Sequence, residues 1–287
     1  MMKMPNLFKK ITIAATGLWL TVFALIPFLL ICTVSFMTRS ETALVVPQLS
    51  FEGYGDILAP AFLRIFWNSM LLAGTTALVC LATGYPFAYV LARLGTRGKN
   101  LLLMLVIIPF WTNSLIRSYA LVFILKTNGL LNQVLMASGL IDHPVRMLYS
   151  DMAVLIGLVY TLMPFMILPI YASVEKLDPQ LIEVAQDLGA GKIRTFLHVA
   201  LPLTMPGIVA GITLVFLPAL GMFYIPDILG GAKSLLIGNF IKNQFMTARN
   251  WPAGAAASIL LTLIMIVLIA VYQRSVAKAQ KSITVAV

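Results

Sequence analysis

The chain has 287 residues, of which 60% are apolar and only 10% are charged, and its mean hydropathy is +0.97. An ordinary soluble domain carries about 25% charged residues, so this composition excludes a water-soluble enzyme, a disordered chain and a small disulfide-stabilised scaffold. The net charge of +10 comes from basic residues scattered at the ends of apolar stretches. Because these residues form no basic stripe, no nucleic-acid partner is expected.

Six apolar stretches are long enough to cross a bilayer as helices, which takes about 20 residues. Lipid offers no partner for backbone polar groups, so an all-α, polytopic membrane protein is expected. The first stretch follows three lysines but is longer than the apolar region of a cleaved signal, so it is predicted to be retained. The predicted spans are 13–35, 68–92, 101–123, 152–174, 204–226 and 253–273.

The distribution of basic residues predicts the orientation of the spans. With the amino terminus inside, the inner connections carry the larger share of the 20 Lys and Arg residues, as expected for cytoplasmic segments. Both termini are therefore predicted to be cytoplasmic, and membrane lipid is the immediate environment. We predict an N-terminal helix with the first outer loop at 1–66, a transmembrane core at 67–273 and a cytoplasmic tail at 274–287.

The inner connection 175–203 carries the strongest local signal. Asp178 is a favoured helix N-cap residue, Pro179 suits the first helical position, and Gly189 falls where a C-cap glycine belongs. A second short helix is predicted at about 192–200. The connection should therefore project from the membrane as a helix–turn–helix.

The charge of the predicted helix that begins at Pro179 indicates whether it binds lipid or a protein partner. Glu183 and Asp187 lie four residues apart, beside a face made of apolar residues at helical spacing. A helix lying on anionic lipid would carry Lys and Arg instead. A protein partner with basic groups is therefore favoured over a lipid surface. The apolar residues are Leu181, Val184, Ala185 and Leu188.

The same stretch resembles the coupling motif of importer-type ABC permeases, E-A-A-x3-G-x9-I-x-L-P. Valine replaces alanine at Val184 and isoleucine at Val199, and both changes keep an apolar residue. The resemblance implies a type I ABC importer permease fold whose cytoplasmic coupling helices dock on a separate ATPase subunit. It assigns docking roles to Glu183, Ala185, Asp187, Gly189, Leu201 and Pro202.

No nucleotide-binding loop of the form G-x-x-x-x-G-K-[ST] occurs in the chain. Gly191-Lys192 is followed by Ile193, and Gly231 is followed by Ala232. ATP and magnesium are therefore expected on a partner ATPase, with no cofactor and no catalytic residue in this chain. The two cysteines and the two histidines are too scattered to predict a metal site.

Two polar and aromatic clusters are candidate parts of a substrate path. At the outer end of span three, Trp111 and Asn113 either belong to an interfacial aromatic belt beside a snorkelling Arg117 or face a cavity, and both interpretations stay open. Prolines within the spans predict kinks and freed carbonyls that could line a path. They include Pro86, Pro109, Pro164, Pro169, Pro206 and Pro218.

The second cluster lies at the predicted outer end of span five. Asp227 beside Tyr224 suits an organic cation through charge pairing and cation–π contact. A helix-end aspartate paired with Lys233 is the favoured alternative. Tyr54, an aromatic residue of the first outer loop, has a weaker claim.

Several longer stretches, including PFWTNSLIRSYA at 109–120, look like the permeases of spermidine/putrescine importers over about residues 18–273. The resemblance implies polyamine transport by alternating access across the bacterial inner membrane. It also implies a second, different permease subunit, an ATPase dimer and a periplasmic polyamine-binding protein. A permease for another small solute remains an alternative. An ion-coupled secondary transporter is disfavoured because it would need ionisable residues within the spans.

Overall fold

The computed structural model describes residues 6–40, 45–231 and 234–285, with side chains described between residues 9 and 274. The chain divides into two compact units, one formed by Met1–Arg64 with Phe240–Leu263 and the other by Ile65–Asn239 with Ile264–Val287. Among the described residues, six helical segments are long and apolar enough to span a membrane, as predicted. They are Lys9–Ser35, Pro60–Arg93, Ser114–Ala137, Asp151–Val174, Lys192–Gly221 and Trp251–Arg274.

The first unit begins with a long helix whose most apolar window has no buried residue, so its side chains are left for lipid or another chain. A two-residue strand pairs antiparallel with a four-residue strand, with Met37 opposite Leu49. In chain order the elements up to the second span are α1 (Asn6–Leu20), a π-helical turn (Thr21–Leu25), α2 (Ile26–Ser35), β1 (Met37–Thr38), β2 (Val46–Leu49) and α3 (Glu52–Leu58).

The remaining helices follow in chain order. They are α4 (Pro60–Arg93), α5 (Thr96–Trp111), α6 (Ser114–Leu125), α7 (Leu130–Ala137), α8 (Asp151–Val174), α9 (Pro179–Asp187), α10 (Lys192–Thr195), α11 (Leu201–Gly221), α12 (Ile237–Met246) and α13 (Trp251–Val285). Two further π-helical turns cover Phe196–Ala200 and Pro226–Gly230.

Helices α8 and α11 form the core of the second unit. Small residues let the two backbones approach closely, as is common where helices pack in membranes. A Cβ atom on Gly207 would lie 2.6 Å from the carbonyl oxygen of Pro169, and one on Gly211 would lie 2.7 Å from Sδ of Met166. Neither glycine therefore has room for a side chain.

The predicted third span, 101–123, is not one helix. Helix α5 ends at Trp111, and α6 starts at Ser114 after an extended Thr112 with ψ 148°. The side chain of Asn113 caps α6 by accepting a hydrogen bond from the Leu115 N–H at 2.8 Å. The prediction of a continuous helix was wrong because hydropathy measures the apolar run but not a cap residue inside it.

The predicted fifth span, 204–226, differs at both ends. Its helix begins at Lys192, so the second short helix expected in the connection is the first part of the span itself. The helix ends at Gly221, and the following apolar segment turns into the core, where Ile225 and Leu229 are fully buried. Hydropathy cannot separate an apolar segment in lipid from one buried in protein.

The close approach of α8 and α11 makes a prediction about Gly207. Substitution Gly207→Ala would force Cβ against the Pro169 carbonyl oxygen, and such overpacking costs about 1–3 kcal/mol. We expect a lower midpoint of thermal unfolding for the purified chain in detergent.

The matched control is Gly74→Ala in α4, where no atom lies within 4 Å of the added Cβ. Alanine is favoured over glycine within a helix, so this midpoint should not fall. Equal midpoints for the two variants would contradict the close packing.

Candidate functional site

The connection after α8 has the helical frame that its sequence predicts. Oδ1 of Asp178 accepts the N–H of Gln180 at 3.0 Å, and Pro179 occupies the first helical position. At the other end Gly189 has φ +85°, and its N–H donates to the Gln186 carbonyl at 2.9 Å while the Ala190 N–H donates to that of Ala185 at 3.0 Å. This pair of bonds is a Schellman cap, so α9 is closed at both ends.

The surface of α9 and its cap carries both apolar and acidic side chains. Glu183 and Asp187 are exposed, and large apolar side chains beside them are exposed as well. Contiguous exposed apolar residues mark interaction sites, and the carboxylates favour a basic partner. The apolar side chains are Leu181, Val184, Leu188 and Ile193, with Leu188 84% and Ile193 77% exposed.

The six residues assigned to docking fall into two groups. Glu183, Ala185, Asp187 and Gly189 lie on α9 or its cap. Leu201 and Pro202 lie instead at the start of α11, in the helix that continues from Lys192 into the span. Docking on an ATPase stays a prediction for all six.

Aromatic contacts attach this connection to α4. The ring of Phe196, in the π-helical turn, meets the ring of Tyr85 edge-on at 5.6 Å and that of Tyr89 at 6.3 Å. The Tyr85 hydroxyl lies 2.9 Å from Oγ1 of Thr204, where both groups are buried. A displacement of the connection would therefore act directly on α4.

An ion pair attaches the same region to α5. Nζ of Lys99 lies 2.9 Å from Oε1 of Glu175, which also accepts the Tyr171 hydroxyl at 2.6 Å. The Tyr171 hydrogen bond and then Lys99 hold the pKa of Glu175 below its usual range. Glu175, Glu183 and Arg93 line a cleft of about 490 Å³ at the base of α9.

The cap of α9 makes a prediction about its glycine. An L-residue with φ +85° at position 189 is strained by about 1–2 kcal/mol, although no atom lies within 4 Å of the added Cβ. Gly189→Ala should therefore open the cap. We expect the amides of Gly189 and Ala190 to exchange hydrogen about 5–30 times faster, measured by mass spectrometry.

Gly191→Ala is the matched control, because Gly191 also has open space around it but a φ of −64°. Its exchange should stay close to that of the unchanged chain. The same acceleration in both variants would mean that the left-handed conformation does not hold the cap.

At the break of the third span, Trp111 is 80% exposed and Asn113 serves as the cap. The guanidinium of Arg117 is held by a hydrogen bond and by contacts with two aromatic rings. Its Nη1 donates to the Pro109 carbonyl oxygen at 2.7 Å, and its Cζ lies 5.6 Å from the ring centres of both Phe110 and Tyr160.

The sequence gives no sign of Tyr160, which lies 43 positions from Arg117 and reaches it only through the packing of α8 against α6.

In the second aromatic cluster, the structure shows a partner for Asp227 that the sequence did not predict. Asp227 accepts a hydrogen bond from Nδ2 of Asn239, which also donates to the Phe223 carbonyl at 2.9 Å. Lys233, the partner favoured from the sequence, lies outside the described residues. Asn239 was missed because nothing in its local sequence marks it. Tyr224 is half-buried, with its ring 6.3 Å from that of Phe223.

Tyr54 belongs to the first unit. Its hydroxyl lies 2.9 Å from Oγ of Ser35, and its ring lies 5.1 Å from that of Phe36. These contacts explain the residue by packing alone, and a role in a substrate path stays a prediction.

Residues 84–284 match the family model described as "Binding-protein-dependent transport system inner membrane component". The chain is 49% identical to the spermidine/putrescine transport system permease protein PotB of Haemophilus influenzae over 94% of each chain. It also resembles a subunit of a bacterial ABC transporter that imports alginate, with a TM-score of 0.78 and 17% identity over 95% of this chain and 96% of that one.

A second solved structure is the alginate transporter in complex with its alginate-bound periplasmic protein, with a TM-score of 0.76 and 17% identity over 93% of each chain. At this identity both solved structures bear on the fold alone. The family match covers most of the chain, and the PotB relative is similar along nearly its whole length. The chain therefore belongs to the inner-membrane components of binding-protein-dependent transport systems, the permeases of ABC importers.

Proposed function

We propose that this permease carries polyamines, spermidine or putrescine, into the cytoplasm. Its partners would be a second permease subunit, an ATPase dimer and a periplasmic polyamine-binding protein. The relative at 49% identity is named for spermidine and putrescine transport, and it supports the choice of cargo. Both termini would be cytoplasmic, which places the connection 175–203 on the ATPase side of the inner membrane.

The surface of α9 is the observation that carries the ATPase part of the proposal. It combines the exposed carboxylates of Glu183 and Asp187 with exposed apolar side chains. Interfaces commonly pair an apolar centre with a complementary charged rim. A basic groove on the ATPase fits this surface, and ATP with magnesium would be bound there and not by this chain.

Transport would follow from alternating access. ATP binding would close the ATPase dimer, and α9 would move with it. The contacts of Phe196 with Tyr85 and of Glu175 with Lys99 would pass that motion to α4 and α5. Alternating exposure of a path between the spans needs only such rigid-body motion.

The docking role of Glu183 can be tested by reversing its charge. Glu183→Lys would set like charge against the basic groove, which costs several kcal/mol in an interface. We expect spermidine-stimulated ATP hydrolysis by the reconstituted assembly to fall by about tenfold or more. Because Glu183 is exposed, the chain should still insert and fold.

Glu183→Gln is the matched variant, since it removes the charge without reversing it, and its loss should be smaller. Normal stimulated hydrolysis in Glu183→Lys would count against docking at α9.

The cargo can be tested in cells that lack their own polyamine uptake. Expressing the chain with its three kinds of partner should restore accumulation of labelled spermidine or putrescine. Omitting the ATPase should abolish it. Uptake that persists without the ATPase would overturn ATP-driven transport. Accumulation of a different solute and of neither polyamine would reassign the cargo.

A further inference from the structure

The break in the third span places a cation against a carbonyl oxygen and two aromatic rings. The cation is the guanidinium of Arg117, held by the Pro109 carbonyl at 2.7 Å and lying 5.6 Å from the ring centres of Phe110 and Tyr160. A primary ammonium group binds by the same two interactions, a hydrogen bond to a carbonyl oxygen and contact with aromatic faces.

We propose that this carbonyl and the two rings form a subsite for one ammonium group of the transported polyamine. Arg117 occupies the subsite as a tethered cation until the substrate displaces it. The inference rests on the proposed function, because only a cationic cargo would make the exchange.

The carbonyl is available because the helix breaks beside it. In a continuous helix the Pro109 oxygen would accept the N–H of Asn113, but the extended Thr112 carries that group away. The N–H and the hydroxyl of Thr112 both donate to the same oxygen, at 3.4 Å and 2.7 Å. Arg117 is the third donor to this oxygen, and because its side chain is long and flexible, this donor can be exchanged.

Arg117 is only partly satisfied where it lies. A guanidinium has five donors, and its Nε is buried without a hydrogen-bond partner in the described part of the chain. A charged side chain at membrane depth normally pairs or faces a cavity. The incomplete satisfaction lowers the free energy needed to move the guanidinium out of the subsite.

The subsite is open to the surface of the chain. Phe110 and Tyr160 are 36% and 42% exposed, and Phe165 extends the aromatic surface by an edge-on contact with Phe110 at 5.2 Å. Arg117 lies in the first turns of the span Ser114–Ala137. A charged side chain within a span faces protein or a water-filled cavity, so this surface is taken as part of the proposed path.

Tethering explains how such a site selects a polyamine. A tethered group has an effective concentration at its site in the millimolar range or above. A monovalent amine must compete with that concentration from solution. When one ammonium group of a polyamine is already bound elsewhere on the protein, its other ammonium group also has a high effective concentration and can compete with Arg117 for the subsite. Arg117 therefore closes the subsite to monovalent cations and leaves it open to polyvalent ones.

The test is to remove the tether and supply a free cation. In the complete assembly expressed in cells, Arg117→Ala should make spermidine uptake sensitive to methylguanidinium, which fills the vacated subsite and blocks it. We expect uptake to fall about fivefold, while the unchanged chain and Arg146→Ala, which alters an exposed arginine elsewhere, show less than about a twofold change. Adding Tyr160→Leu to Arg117→Ala should remove the sensitivity.

Opposite results would overturn the proposal. If Arg117 only stabilises the break, methylguanidinium will restore uptake in Arg117→Ala or leave it unchanged. If Arg117→Ala does not accumulate in the membrane, Tyr160→Leu and Tyr160→Phe decide the matter alone. The phenylalanine variant keeps the aromatic face and should transport spermidine at least about fivefold faster than the leucine variant; equal rates refute the subsite. Absence of uptake by the unchanged assembly would instead refute the proposed function.

Discussion

The absence of hydrogen-bonding partners in lipid is the constraint on which the structure depends. At three irregular points in the described part of the chain, side chains bond freed backbone groups. Asn113 caps α6, Arg117 binds the Pro109 carbonyl, and the Ser69 hydroxyl accepts the N–H of Ile237 at 2.9 Å. At these points the irregular backbone is therefore stabilised by side chains that hydrogen-bond to it.

The same constraint links the break in the third span to transport. A broken helix is tolerated only where protein or water satisfies the freed backbone groups, and here side chains of Thr112, Asn113 and Arg117 do so. Aromatic rings lie against Arg117, and in the proposed subsite a cationic cargo would meet the carbonyl and these rings. The polar and aromatic side chains at the break between α5 and α6 would therefore serve both to stabilise the break and to bind the substrate.

The connection 175–203 is stabilised differently, because it lies between two spans and water is available to it. Asp178 and Gly189 close α9 locally, and this leaves its apolar side chains exposed instead of buried against the membrane spans. The ring contacts of Phe196 and the Lys99–Glu175 ion pair attach the segments on either side of α9 to α4 and α5. A rigid, well-attached helix with an exposed apolar face is suited to transmit force from a partner.

The sequence by itself determined the membrane class, the number of spans and both caps of α9. Each of these depends on composition or on residues within a few positions of one another, such as Asp178 before Pro179. The tertiary structure alone decided the contacts of Arg117 with Tyr160 and of Asp227 with Asn239. It also decided that the segment after Gly221 is buried in protein, because hydropathy is the same for an apolar residue facing lipid and one packed in a core.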